Sequence, residues 1–231
     1  MRSLLVLLAA CGGNAAGTAR PDARVVSDGS QGDVIDEPYR HTITIDGIDD
    51  FTTGETFATT SATFSARIAW DDVNLYVGYF GPDLSTSTSD AAQKWLFVYL
   101  DTMPGGETQS EQYNTQRATF PSGFGADYYA RYKVNGNLTS LERNDSGDWV
   151  TASPAPQSAQ AGMFVELAIP LSSIGAGTSV QLVTYMINEK MFAEGTYAGL
   201  FSDNFVDGYS ANMMLTRALV ADFTAGREPA L

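Results

Sequence analysis

The side chains best equipped to do chemistry in this chain are suited to binding, and many of them fall in one stretch. Residues 111–132 interleave Tyr113, Asn114, Gln116, Arg117, Phe120, Phe124, Tyr128 and Tyr129. A sugar ring presents C–H faces that stack on aromatic rings. Its hydroxyls hydrogen-bond to amides, carboxylates and guanidinium groups, so such a loop over a sheet face suits a shallow platform. The same aromatics in a long loop also suit a plug that caps the core, and both readings stay open. Trp149 follows a polar turn at 144–148, a place that suits an exposed ring for a ligand or an edge packing residue, and both readings stay open. The ligand-binding set read from the sequence is therefore Trp149, Tyr113, Phe124 and Arg117.

Acid side chains form a second group. Asp46, Asp49 and Asp50 cluster near one strand end, Asp71 and Asp72 near another, and Asp101 opens the loop 101–106. Calcium takes several carboxylate and carbonyl oxygens, so Asp46, Asp49 and Asp101 are the expected metal ligands, with solvated turn aspartates as the alternative. Catalysis has little to draw on. The single histidine, His41, is the only candidate for the usual general base. Nucleophile elbow, zinc-protease and phosphate-loop patterns are all missing from the sequence. Paired carboxyls occur, but an acidic chain supplies them by chance. The expectation is binding, with no catalytic residue.

The elements that must position these side chains are strands. From His41 onward apolar residues alternate with polar ones, the period of a half-buried strand. Phe64, Ala66, Ile68 and Trp70 share one face, Asp71-Asp72 turns, and Val73, Leu75, Val77 and Tyr79 share the next. Residues 95–100 are apolar on both faces, as a central strand requires. Tyr128, Ala130, Tyr132 and Val134 lead into Asn135-Gly136, a two-residue turn signal, and residues 138–143 return. Residues 149–151, 163–169 and 180–187 read as further strands; Pro170 stops one of them, and 171–174 suits one helical turn. Residues 211–223 fit a helix or a closing strand equally. About eight to eleven strands are expected from this pattern, with no internal repeat. Trp70 and Trp95 are expected in the core.

Three segments in order carry a family resemblance. They are Ile45-Asp46-Gly47 with Asp49-Asp50-Phe51; residues 66–77, which include Trp70-Asp71-Asp72, followed by residues 96–102; and residues 165–175, which begin Val165-Glu166-Leu167-Ala168-Ile169-Pro170. Together, over roughly residues 43–190, they resemble the DOMON-like superfamily and in particular family 9 carbohydrate-binding modules. The resemblance implies an all-β fold, a jelly-roll-like antiparallel β-sandwich, and a carbohydrate ligand such as a polysaccharide or glycan end. It also implies a sugar held between two tryptophans, a pair that Trp70, Trp95 and Trp149 do not obviously supply. Structural calcium is a further implication, although Met103 stands where relatives carry an acid. Some DOMON-like relatives hold b-type haem, for which Met163, Met186, Met191, Met213 and Met214, with Lys190 or His41, are the available ligands. A protein-interaction module is the remaining alternative.

Upstream, Arg2 precedes a short apolar run that ends Leu8-Ala9-Ala10-Cys11, followed by Gly12-Gly13. This is the layout of a signal peptide; a span needs roughly 20 apolar residues. Leu-Ala-Ala-Cys resembles the lipobox of bacterial lipoproteins, which implies acylation of Cys11, the only cysteine. Gly12 after it implies the outer membrane of a Gram-negative bacterium. The expected organisation is a signal peptide at 1–10, acylated Cys11 with a flexible tether through residue 40, and a β-sandwich over 41–231. Residues 34–39 are alternatively an edge strand. The chain of 231 residues carries a net charge of −14. That excess gives no basic footprint for nucleic acid and leaves the lipid as the sole membrane attachment.

Overall fold

Alternation of apolar and polar side chains produces strands here because each strand has one face turned to the opposing sheet. The computed structural model describes residues 38–113, 115–136, 138–189, 195–202 and 212–224. Cys11 and the segment before it lie outside the described residues, as do Asn114, Lys190 and Met191. Among the described residues the first strands are β1 (Thr56–Ala58), β2 (Ser65–Trp70), β3 (Asn74–Phe80) and β4 (Lys94–Asp101). There follow β5 (Arg117–Thr119), β6 (Tyr128–Lys133), β7 (Thr139–Asp145), β8 (Asp148–Ala152) and β9 (Gln157–Ala161). The last are β10 (Phe164–Pro170), β11 (Ser179–Asn188), β12 (Thr196–Tyr197), β13 (Asn212–Met214) and β14 (Leu219–Asp222).

Two antiparallel sheets form the sandwich. One runs β1-β2-β3-β10-β9; the other runs β12-β11-β4-β6-β7-β8, with β14 also pairing β11. A short parallel pair, β13 with β5, lies apart from both. Between the sheets lie Ala66, Ile68 and Trp70 of β2, Leu75, Val77 and Tyr79 of β3, and Val165, Leu167 and Ile169 of β10. Facing them are Leu96, Val98 and Leu100 of β4, Ala130 and Tyr132 of β6, and Leu182 and Met186 of β11. The buried Tyr79 hydroxyl donates to the Ala198 carbonyl, so this core leaves that polar group partnered.

The outer faces are covered too. Beneath the smaller sheet, Ile43 packs with Ala69, Tyr76 and Ala168, and Ile45 and Phe51 border the group. Over the larger sheet, Trp95, Phe97 and Tyr99 of β4, Tyr129 of β6 and Val183, Tyr185 and Ile187 of β11 meet a covering layer. That layer is made by Ala118, Phe120, Phe124 and Ala126 of the β4–β6 connection, together with Met213 and Leu215. Residues 95–100 read as apolar on both faces because each face has its own core.

Turn chemistry explains where the hairpins bend. Asp71 Oδ1 accepts the N–H groups of Val73 and Asn74 at 2.8 Å each, while Oδ2 accepts the Tyr76 hydroxyl at 2.7 Å. Val73 therefore belongs to the turn and is 62% exposed, not on the core face that alternation assigns it. The β7–β8 hairpin closes through Ser146 and Gly147, both at positive φ (60° and 100°), with Asn144 Oδ1 accepting Gly147 N–H at 2.9 Å. Asn135-Gly136 behaves differently from the two-residue turn expected. The Lys133 N–H bonds to the Leu138 carbonyl and Val134 N–H to the Lys94 carbonyl, so Val134 extends the ladder inward and the connection is longer. Residues 171–173 make the expected single turn of 3-10 helix, and 211–223 resolves into two strands, β13 and β14, within its described part. No helix among the described residues is long and apolar enough to cross a membrane.

Candidate functional site

A cleft of about 600 Å³ opens where the tip of the β7–β8 hairpin meets the β4–β6 connection. Its walls are Glu107, Gln109, Ser110, Glu111, Gln112 and Arg117 from the connection, and Gly147, Asp148 and Trp149 from the hairpin. Trp149 is placed by its position one residue into β8, paired across the ladder with Asn144. Its half-buried ring meets Tyr129 edge to face at 4.9 Å and Tyr99 at 5.9 Å. These contacts fix one side of the indole against the outer aromatic core while the residue still lines the cleft.

The connection is held by its two ends. Asp127 Oδ2 accepts the N–H groups of Thr102 and Met103 at 2.8 and 2.9 Å, and Asp101 Oδ2 accepts Gly125 N–H at 3.0 Å. Burial pushes the Asp101 carboxyl up, Asp127 adds to the rise, and the Gly125 N–H opposes it. Further along, Ser110 Oγ accepts Ala118 N–H at 2.9 Å, and Glu111 N–H donates to the Tyr99 hydroxyl at 3.0 Å. The Tyr129 hydroxyl donates to Glu111 Oε2, and burial together with that carboxylate holds the phenol far above its ordinary range. Arg117 Nη1 donates to Gln109 Oε1 at 3.0 Å, while its Nε has no acceptor. The arrangement offers one aromatic ring beside a ring of fixed acceptors and donors, which is equipment for orienting a hydroxyl-rich ligand.

Of the four ligand-binding residues read from the sequence, Trp149 and Arg117 meet in this cleft. Phe124 does not; it is 2% exposed and packs against Phe120 at 5.1 Å between ring centroids. Tyr113 accepts a hydrogen bond from Arg131 Nη1 at 2.6 Å, and its ring lies against Trp95 and Phe97. The connection thus serves as plug and platform at once: its apolar side chains seal the outer core, and its polar ones face the hairpin. Glu107, Gln109, Glu111, Gln112 and Asp148 were missed by sequence reasoning. The signal was available in the polar run 107–112, which has no reason to be so rich in amides and carboxylates if it only seals a core. Trp70, 1% exposed between Tyr39 and Phe223, and Trp95, 4% exposed, lie in the cores.

The expected calcium ligands do not assemble into a cage. Asp46 Oδ1 accepts Ile48 N–H at 2.9 Å, Asp49 pairs with Arg67 at 2.8 Å, and Asp101 ties the connection on the other sheet. Among the described residues no three carboxylate, imidazole or thiol groups come together as a metal site. The candidate haem ligands are likewise dispersed. Met186 is in the inter-sheet core, Met213 in the outer core, Met163 and Met214 are exposed, and His41 Nδ1 lies 2.7 Å from Glu55 Oε1.

No protein-family model matches this chain, and no curated protein matches it. Among solved structures the chain is similar to a family 9 carbohydrate-binding module from Caldicellulosiruptor kristjanssonii in complex with cellotriose. The TM-score is 0.43 and the identity 16%, over 77% of this chain and 92% of that one. The sandwich architecture follows independently from the strand registers and from cores that lie between and outside two antiparallel sheets.

Proposed function

We propose that this chain is a non-catalytic carbohydrate-binding module, exported and held at a bacterial outer membrane by lipid on Cys11. The observation that carries the binding half is the cleft in which a half-buried Trp149 stands opposite Arg117, with amides and carboxylates on the remaining walls. A sugar ring stacks on the indole, and its hydroxyls replace water on Gln109, Gln112, Glu107 and Asp148. Hydrogen bonds to Tyr129 and Tyr99 keep Glu111 in position, and edge-to-face packing on the same two rings holds Trp149, which lowers the ordering cost of binding. The lone histidine is engaged with a buried glutamate, and this reading assigns it no catalytic part.

The anchor half of the reading is supported by the sequence Leu8-Ala9-Ala10-Cys11-Gly12-Gly13. Glycan-array screening of the full chain tests the binding half: at least one carbohydrate is retained, and Trp149→Ala weakens it by about tenfold or more, the loss expected for a central aromatic anchor. An empty array with folded protein ends that reading. Labelled palmitate entering the wild-type chain but not Cys11→Ala tests the anchor, and equal labelling of both refutes it.

A further inference from the structure

The Trp149 cleft carries a charge pattern that narrows its ligand. Three carboxylates line it, from Glu107, Glu111 and Asp148, against one guanidinium, from Arg117. None of these three acids joins an ion pair among the described residues. The Glu111 carboxylate accepts the neutral Tyr129 hydroxyl, and Arg117 donates to the neutral amide of Gln109. The neighbouring cation, Arg131, does not line the cleft and is engaged by Tyr113, Ser140 and Glu142. Glu107 comes close to the hairpin: a methyl placed on Gly147 would lie 3.7 Å from its Oε1. Acids from both walls therefore line the cleft with the indole and outnumber its one cation, Arg117, by three to one.

We propose that the ligand of this cleft is an amino sugar, a glycan bearing free ammonium groups, rather than a neutral or acidic glycan. This rests on the carbohydrate reading above and deepens it. The sugar ring supplies the C–H face for Trp149, and its ammonium supplies the positive charge that Arg117 alone leaves short against three carboxylates; an ammonium near the indole also gains from the ring's negative face. A uronic acid would place a carboxylate among three others, in a molecule whose net charge is already −14. A neutral hexose would satisfy the hydroxyl contacts and leave the excess negative charge of the cleft unbalanced.

The test is titration calorimetry of the full chain at about pH 6, where amines are protonated and carboxylates ionised. The ligands are oligomers of glucosamine, N-acetylglucosamine, glucose and galacturonic acid, with oligolysine alongside. The expected result is glucosamine oligomer binding about tenfold or more tighter than the two neutral oligomers, with galacturonate oligomers unbound. Glu107→Gln and Asp148→Asn each erode that preference, whereas Asp72→Asn, on the distant β2–β3 turn, leaves it intact. Neutral oligomers binding as tightly as glucosamine oligomers overturn the amino-sugar inference and leave the carbohydrate reading standing. Oligolysine binding as tightly overturns it as well, because the cleft then reads charge alone. Binding of none of the sugars overturns both.

Discussion

Hydrogen-bonded carboxylates in this protein do two different jobs, and their protonation distinguishes them. Glu166 is fully buried on β10, where Oε1 accepts the N–H groups of Asp46 and Gly47 at 2.6 and 2.5 Å, while Oε2 has no partner. Burial pushes its carboxyl up, the two N–H bonds oppose this, and Asp50 and Asp46 add to the rise. A raised carboxyl binds its proton more tightly in the folded state than in the unfolded one. Its contribution to stability is therefore fully present below the ordinary glutamate range and is lost as pH rises through the folded value. Glu166→Gln keeps an oxygen for both N–H groups and removes the buried charge. The expected outcome is a variant that melts higher than wild type at pH 7, with the gap closing as pH falls through the raised Glu166 value and no longer changing below about 4. A gap that widens on acidification would show that the charge itself stabilises the loop. Asp71 behaves oppositely. Although burial raises its carboxyl, hydrogen bonds from Tyr76, Val73, Asn74 and Thr42 hold it below the usual range, so the turn it caps is weakened on acidification.

At the scale of elements, the site depends on the β4–β6 connection being folded back onto the larger sheet. Gly125 makes that possible, since a Cβ there would sit 1.5 Å from the Gly105 carbonyl oxygen. Gly125→Ala is expected to cost about 1–3 kcal/mol, the range for overpacking, as measured by chemical denaturation. It should also weaken ligand binding by the folded protein, because residues 107–112 are carried by the displaced segment. An alanine variant with unchanged affinity would mean that the cleft is set by the hairpin alone. The same connection shows why the sequence was only partly legible. Strands such as β2, β3 and β10 announce their inward faces by alternation, and β4 and β11 announce themselves as central by being apolar on both faces. The three-residue β1, β5 and β13 and the two-residue β12 are too short to show a period, and the five-residue β9, Gln-Ser-Ala-Gln-Ala, is an edge strand with almost nothing apolar. Trp149 and Arg117 stood out by residue type. That they meet while Tyr113 and Phe124 turn inward depends on register between a loop and a hairpin tip, which no local pattern encodes.

For the molecule as a whole, two apolar layers separated by one sheet share the work of stability and function. The inter-sheet core holds the sandwich together, and the outer aromatic core holds the cleft to it through Phe97, Tyr99 and Tyr129. Phe97 stacks with Tyr185 at 5.7 Å and Tyr99 at 6.1 Å, and meets Tyr113 at 5.3 Å. Ile68, on β2, is fully buried in the other core. Ile68→Ala and Phe97→Ala are both expected to destabilise by about 2–5 kcal/mol in urea titrations. Their functional consequences differ. Well below the melting temperature, where both variants are folded, Ile68→Ala should retain wild-type affinity, since its cavity lies on the far side of β4. Phe97→Ala should bind more weakly, because it removes packing under Tyr113 and beside the two tyrosines that seat Trp149. If both variants keep full affinity, the outer core is a passive lid and the cleft is shaped by hydrogen bonds alone. If both lose it equally, the two layers are one mechanical unit, and the sheet between them passes a core defect on to the site.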